Sequence, residues 1–192
     1  MRKIKDGLPL HVIPNPAEAL SHGRVTSPSD GPWMQHPCIM TVGRLVPFKR
    51  QDLLMESFST LSEVYHLVIF REGPERARLI KKAEDLKIAN RVWLLGQVLN
   101  PREQFAFARA CLVSSDFEGF PNVLLEMMSV NWAVVSTICA DGIDQLPGIF
   151  TCFTGNSTQL AMAIQNALDM SDTDREIRFR QMKDHLSEKT YG

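Results

Sequence analysis

The chain has 192 residues, enough for one domain with its own core, and 44% of them are hydrophobic. Its 21 basic and 22 acidic side chains leave a formal charge of −1, which argues against a nucleic-acid binder that works through a basic face. No apolar run reaches the length of a membrane span, and the opening Met1-Arg2-Lys3-Ile4-Lys5-Asp6-Gly7 lacks the apolar centre of a secretory signal. The four cysteines, Cys38, Cys111, Cys139 and Cys152, form no CxxC or Cys/His cluster. They read as buried reduced thiols of a cytosolic protein rather than as zinc ligands.

Residues 14–37 are rich in Pro, Ser, Gly and Asn and read as a linker or irregular loop. After Pro37, short apolar stretches alternate with amphipathic ones. Residues 38–42 predict a strand. Residues 51–61 carry Leu53, Leu54, Phe58 and Leu61 at helical spacing. Strands are expected over 65–70, 91–95, 110–114 and 132–136, with a weaker one over 148–153. Helices are expected over 75–86, 102–109 and 121–130, and two closing helices over 158–170 and 174–186. This alternation predicts an α/β fold: a single Rossmann-like, doubly wound parallel sheet covered on both faces. The expected division is a linker at 1–36, the nucleotide-binding domain at 37–170 and a closing helix at 171–192. Ligands of such sheets bind beyond the carboxyl ends of the strands, where Gly43, Gly73, Gly96 and residues 115–118 fall.

The most specific local pattern is Glu118-Gly119-Phe120-Pro121-Asn122-Val123-Leu124-Leu125-Glu126. Gly119 permits a tight or left-handed turn, and Pro121 suits a first helical turn. Glu126 then falls a turn inside a helix among Leu124, Leu125, Met127 and Met128, where it is either the helix's solvent face or a carboxylate that needs a polar partner. Sugar hydroxyls are one such partner, and the helix start offers N–H groups to a phosphate. Earlier in the chain, Gly43-Arg44 is followed by Lys49, a guanidinium fork and a point charge suited to a diphosphate.

The nine residues from Glu118 to Glu126 match residue for residue the double-glutamate motif of retaining glycosyltransferases of the group 1 family, and the chain resembles the C-terminal half of their GT-B fold. Gly43, Arg44 and Lys49 match a second motif of that family. The resemblance implies that Glu118 is the catalytic carboxylate contacting the donor sugar. Gly119, Phe120 and Pro121 would form the donor-sugar loop, and Glu126 would hold the ribose. Gly43, Arg44, Lys49 and the main chain at Asn122, Val123 and Leu124 would hold the diphosphate. Gly96 and Gln97 would meet the base. The substrate is then a nucleotide diphosphate sugar of the UDP or GDP type, with no metal or other cofactor expected. The full enzyme would transfer the sugar to a hydroxyl of a polysaccharide or lipid-linked glycan.

Three departures from the family pattern stand out. Arg71 occupies a position where the family has a glycine. Gln145 stands where a Glu is frequent. The segment from Gly148 to Phe153 replaces the usual Gly-Leu-Leu-Val-Pro. The segment Leu10-His11-Val12-Ile13-Pro14-Asn15-Pro16 resembles the entry into a second domain, which implies an N-terminal acceptor-binding domain as partner and a truncated closing helix. The location implied is cytoplasmic, with peripheral membrane association open to the full enzyme. A non-catalytic nucleotide-binding module, or one subunit of a split glycosyltransferase, is the alternative. A GT-B epimerase fits the motif less well. A dinucleotide-dependent dehydrogenase is disfavoured because the first strand leads into Gly-Arg-Leu-Val-Pro rather than G-x-G-x-x-G.

Overall fold

The computed structural model describes residues 31–98 and 100–190, with side chains through 187. Most of the expected linker, including Leu10 to Pro16, lies outside the described residues. Six strands form one all-parallel sheet: β1 (Cys38–Val42), β2 (His66–Phe70), β3 (Val92–Gly96), β4 (Ala110–Val113), β5 (Val134–Thr137) and β6 (Phe150–Cys152), in the order β3-β2-β1-β4-β5-β6. The helices are α1 (Gln51–Ser59), α2 (Arg76–Asp85), α3 (Pro101–Phe105), α4 (Asn122–Met128), α5 (Ser157–Leu168) and α6 (Asp172–Thr190). This is the expected Rossmann-like doubly wound sheet. Its order reverses between β1 and β4, so the connections leaving those two strands diverge and open a crevice at their carboxyl ends.

The two faces follow from strand alternation. Ile39, Leu67, Ile69, Leu94, Leu112 and Val135 face α1, α2 and α5. Met40, Val68, Phe70, Trp93, Cys111, Val113 and Val134 face the other way, toward α3, α4 and α6. Strands apolar on both faces are what helices on both sides require. Each fully buried Leu, Ile or Phe side chain contributes roughly 2 kcal/mol by leaving water. All four cysteines are buried and free, in line with the sequence reading.

Several boundaries differ from expectation. The helix expected over 102–109 ends at Phe105. The Asn131 amide donates to the carbonyls of Phe105 and Ala108, and the Arg109 N–H turns to Cys38 O to start β4. The strand expected from 132 begins at Val134, because the Asn131 side chain accepts from the Ala133 N–H before sheet pairing starts. The weak strand over 148–153 shortens to Phe150–Cys152. There Gly148, at φ 80, lies so close to the α6 backbone that a Cβ would sit 2.4 Å from Arg178 O. The closing helix α6 inserts Met182 fully into the second core face, with Phe179 and Leu186 packed beside it.

Candidate active site

β1 ends at Val42 and β2 at Phe70, but their pairing continues into the loops. The Gly43 N–H donates to Phe70 O (3.2 Å), the Leu45 N–H to Glu72 O (3.1 Å), and the Glu75 N–H returns to Leu45 O (3.0 Å). Gly73 lies against this ladder: an added Cβ would stand 2.3 Å from Leu45 O. The glycine of Gly73-Pro74 is therefore demanded by a close backbone approach and not only by a turn.

After Val46 the chain makes a short 3-10 turn, Pro47–Lys49, and Arg50 enters α1 with φ 50 and ψ 40. That turn is stitched to the loop after β4 at several points. The Ser114 hydroxyl donates to Lys49 O (2.8 Å), and the Asp116 N–H donates to Phe48 O (2.8 Å). The Arg50 guanidinium donates to both oxygens of Asp116 (3.0 Å each) and to Asp52 (3.1 Å). The Lys49 ammonium forms an ion pair with Glu118, and the Ser115 hydroxyl donates to the same carboxylate oxygen (2.7 Å). β5 supports this arrangement from behind: the Thr137 hydroxyl donates to Ser115 O (2.6 Å), and the Glu118 N–H to Cys139 O (2.7 Å). Outside the stitched loops, the rings of Phe48 and Phe117 stack at 5.4 Å, with Phe117 67% exposed.

Burial sets the ionisation of several neighbours. Asp52 titrates below the usual carboxylate range. Burial alone would raise it, but hydrogen bonds from Arg50 and the Leu53 N–H, and the charges of Arg50 and Arg78, outweigh that. The Cys139 thiol, behind Glu118, is pushed up chiefly by desolvation.

The two loops thus bring together Gly43, Arg44, Lys49 and Glu118, with Gly119, Phe120, Pro121, Asn122, Val123 and Glu126 following on the same connection. Gly96 and Gln97 stand at the end of β3, two strands away from β1. Gly96 has φ 74 and accepts from the Arg71 N–H, while Gln97 is exposed. Arg71 has φ 92, a backbone region that suits glycine.

Three details of the motif differ from the sequence expectation, and Glu126 takes one of the two placements that expectation allowed. Gly119 has no positive φ, and a Cβ there would meet nothing within 4 Å. Pro121 is the N-cap of α4, with extended φ −77 and ψ 91, rather than part of the first turn. The Leu124 N–H donates to Pro121 O (2.8 Å), so it closes that turn and is not offered to a phosphate. The N–H groups of Asn122 and Val123 precede the helix bonds. Glu126 is exposed, because α4 turns Leu124, Met127 and Met128 inward and leaves the carboxylate on its outer face. Its apolar neighbours in sequence are not its neighbours in space.

Sequence reasoning placed Ser115 and Asp116 at a strand end without giving them a role, and it missed Arg50. Arg50 and Asp116 are 66 residues apart, and no local pattern marks such a pair. Among the described residues no group of three or more His, Cys, Asp and Glu is placed to hold a metal, and no helix is long and apolar enough to cross a membrane.

The family model described as Glycosyl transferases group 1 matches residues 36–170. The chain belongs to the group 1 glycosyltransferases. A curated relative from Methanocaldococcus jannaschii, named as an uncharacterized glycosyltransferase, is 34% identical over 106 residues, covering 54% of this chain and 26% of its own length. The N-acetylgalactosamine-N,N'-diacetylbacillosaminyl-diphospho-undecaprenol 4-alpha-N-acetylgalactosaminyltransferase of Campylobacter jejuni is 36% identical over 110 residues, covering 57% of this chain and 30% of its own length. The crystal structure of Anabaena HepE in complex with UDP superposes with a TM-score of 0.72 at 19% identity, over 79% of this chain and 44% of HepE. At that identity the likeness speaks for the fold alone. The matches to the two relatives thus span about a quarter to a third of those proteins' own lengths.

Proposed function

We propose that this chain is the donor-binding domain of a retaining glycosyltransferase, which transfers a sugar from a nucleotide diphosphate sugar to an acceptor hydroxyl. The observation that carries the proposal is the meeting of two group 1 motifs, Gly43-to-Lys49 and Glu118-to-Glu126, at the point where the sheet order reverses. In this reading Glu118 contacts the donor sugar beside its bond to the diphosphate. Arg44 and Lys49 receive the charge that builds on the departing nucleoside diphosphate, with the Asn122 and Val123 N–H groups beside them. Neutralisation by these cations in place of a metal is part of the proposal. The exposed Glu126 carboxylate accepts from the ribose hydroxyls, and the base lies against Gly96 and Gln97. The open space at Gly119 supports the reading, since nothing among the described residues requires a glycine there.

The donor is of the UDP or GDP type; HepE, a structural neighbour, is described in complex with UDP. The acceptor class is a polysaccharide or lipid-linked glycan, as the undecaprenol-linked substrate in the name of the Campylobacter jejuni relative suggests. An acceptor-binding partner domain completes the cleft, and the enzyme works in the cytoplasm. Calorimetric titration with UDP, GDP and ADP tests the donor site. Binding of one diphosphate, abolished by Arg44→Ala or Glu126→Ala, is the expected result. Binding of none by the folded chain would sink the proposal.

A further inference from the structure

Four cations stand on the loops that leave β1 and β2: Arg44, Lys49, Arg50 and Arg71. Two are already matched, Lys49 by Glu118 and Arg50 by Asp116 and Asp52. The next arginine along, Arg76 in α2, is held by Glu72 (2.8 Å) and Leu94 O (3.0 Å). The side chains of Arg44 and Arg71 make no ion pair or hydrogen bond among the described residues. A diphosphate esterified at both ends carries one negative charge on each phosphate. Lys49 shares its charge with Glu118, so Arg44 and Lys49 together match those two charges only in part.

We propose that Arg71 is a further cation of the diphosphate subsite, beside Arg44 and Lys49. The inference rests on the donor-binding reading above and deepens it. The register places Arg71 there. Val42 pairs with Phe70, and the Gly43 N–H to Phe70 O bond carries the ladder one residue further, so Arg71 stands beside Gly43 on the neighbouring chain. Neighbouring strands lie about 5 Å apart, and Gly43 has no side chain of its own; the Lys49 and Gln51 side chains lie against it. Arg44 follows directly. Arg71 therefore starts from the same edge of the crevice as the Gly43-Arg44 turn, and the residue is half-buried. Its backbone is fixed by its N–H bond to Gly96 O, in a conformation that L side chains rarely adopt. A planar fork of donors at that point matches phosphate oxygens in two places at once.

The experiment is calorimetry of this chain and three variants, Arg71→Gly, Arg71→Ala and Arg71→Lys. The probes are the nucleoside diphosphate that the unaltered chain binds and its parent nucleoside, at two salt concentrations. Arg71→Gly relaxes the backbone and removes the charge; Arg71→Ala removes the charge and keeps the strain. Both are expected to weaken diphosphate binding about tenfold, to flatten its salt dependence and to leave nucleoside binding unchanged. Arg71→Lys should restore part of the loss. Diphosphate binding by Arg71→Gly at full affinity and with the same salt slope would overturn the inference and leave the donor-site proposal standing. An equal loss for nucleoside and diphosphate would move Arg71 to the base and overturn the charge assignment. Binding of no diphosphate by the unaltered chain would remove both readings together.

Discussion

Lys49 and Glu118, 69 residues apart in sequence, meet as an ion pair that closes the loop after β1 onto the loop after β4. Their side chains are only 19% and 14% exposed, and the Ser115 hydroxyl donates to the shared carboxylate oxygen. A lysine expected to hold phosphate and a glutamate expected to meet sugar thus neutralise each other across the crevice.

Glu118→Gln keeps the shape and removes the charge. Lys49 then loses its carboxylate, and the chain is expected to lose about 1 kcal/mol of stability, measured by urea unfolding. The freed ammonium turns to the phosphates, so nucleoside diphosphate should bind several-fold more tightly in calorimetry. Transfer by the complete enzyme should fall by at least about a hundredfold. Weaker diphosphate binding by Glu118→Gln would contradict the idea that the ion pair competes with ligand.

Two glycines near the crevice are expected to respond oppositely. At Gly73 a Cβ would press into the Leu45 backbone, with Leu45 N only 2.6 Å away. Gly73→Ala should cost about 3 kcal/mol. Gly119 faces open space, so Gly119→Ala should stay within about 0.5 kcal/mol of the unaltered chain. If a ligand approaches that backbone, Gly119→Ala should still weaken nucleotide-sugar binding. Thermal unfolding and titration of the two variants side by side separate these effects.

Asp52 makes stability depend on acid. Its folded-state titration lies below the ordinary value because Arg50, the Leu53 N–H and Arg78 outweigh the opposing effect of burial. The stabilisation is present above the unfolded carboxyl's value of about 3.9 and is lost as pH falls through the lower folded one. Asp52→Asn should therefore lie below the unaltered chain in urea midpoint at neutral pH, and the gap should close as pH falls below the unfolded carboxyl's value of about 3.9. A gap independent of pH would mean that Asp52 acts through packing alone.

The thiols make the mirror-image prediction in alkali. Desolvation pushes Cys38 up to about 12 and Cys152 to about 11, and holds Cys111 well above its ordinary range. Thiols ionise first in the unfolded chain, so stability should decline as pH rises above about 9. At about pH 8 the folded chain should react with a thiol reagent far more slowly than the urea-unfolded chain, in which all four thiols become reactive. Rapid reaction of the native chain at one site would show that its cover opens readily.

The sheet was legible from residue order alone. Apolar runs bounded by glycine and separated by amphipathic stretches dictate parallel strands with helices on both faces, because such strands must bury both sides. The motifs at Gly43, Arg44 and Lys49 and from Glu118 to Glu126 were legible too, since each lies within a few residues of a strand end. Only the tertiary structure decided how they meet. Strand order places β4 beside β1, and that contact pairs Lys49 with Glu118 and Arg50 with Asp116 across spans that carry no local signal. It also decided that Glu126 takes the solvent face of a helix of seven residues, and it reversed the reading of the Leu124 N–H, taken up by Pro121 O. Local sequence fixes which atoms are near along the chain; which charges remain unmatched depends on what the fold brings from far away. That difference leaves Arg44 and Arg71 as the cations without a partner at the mouth of the crevice, among the described residues of the two loops.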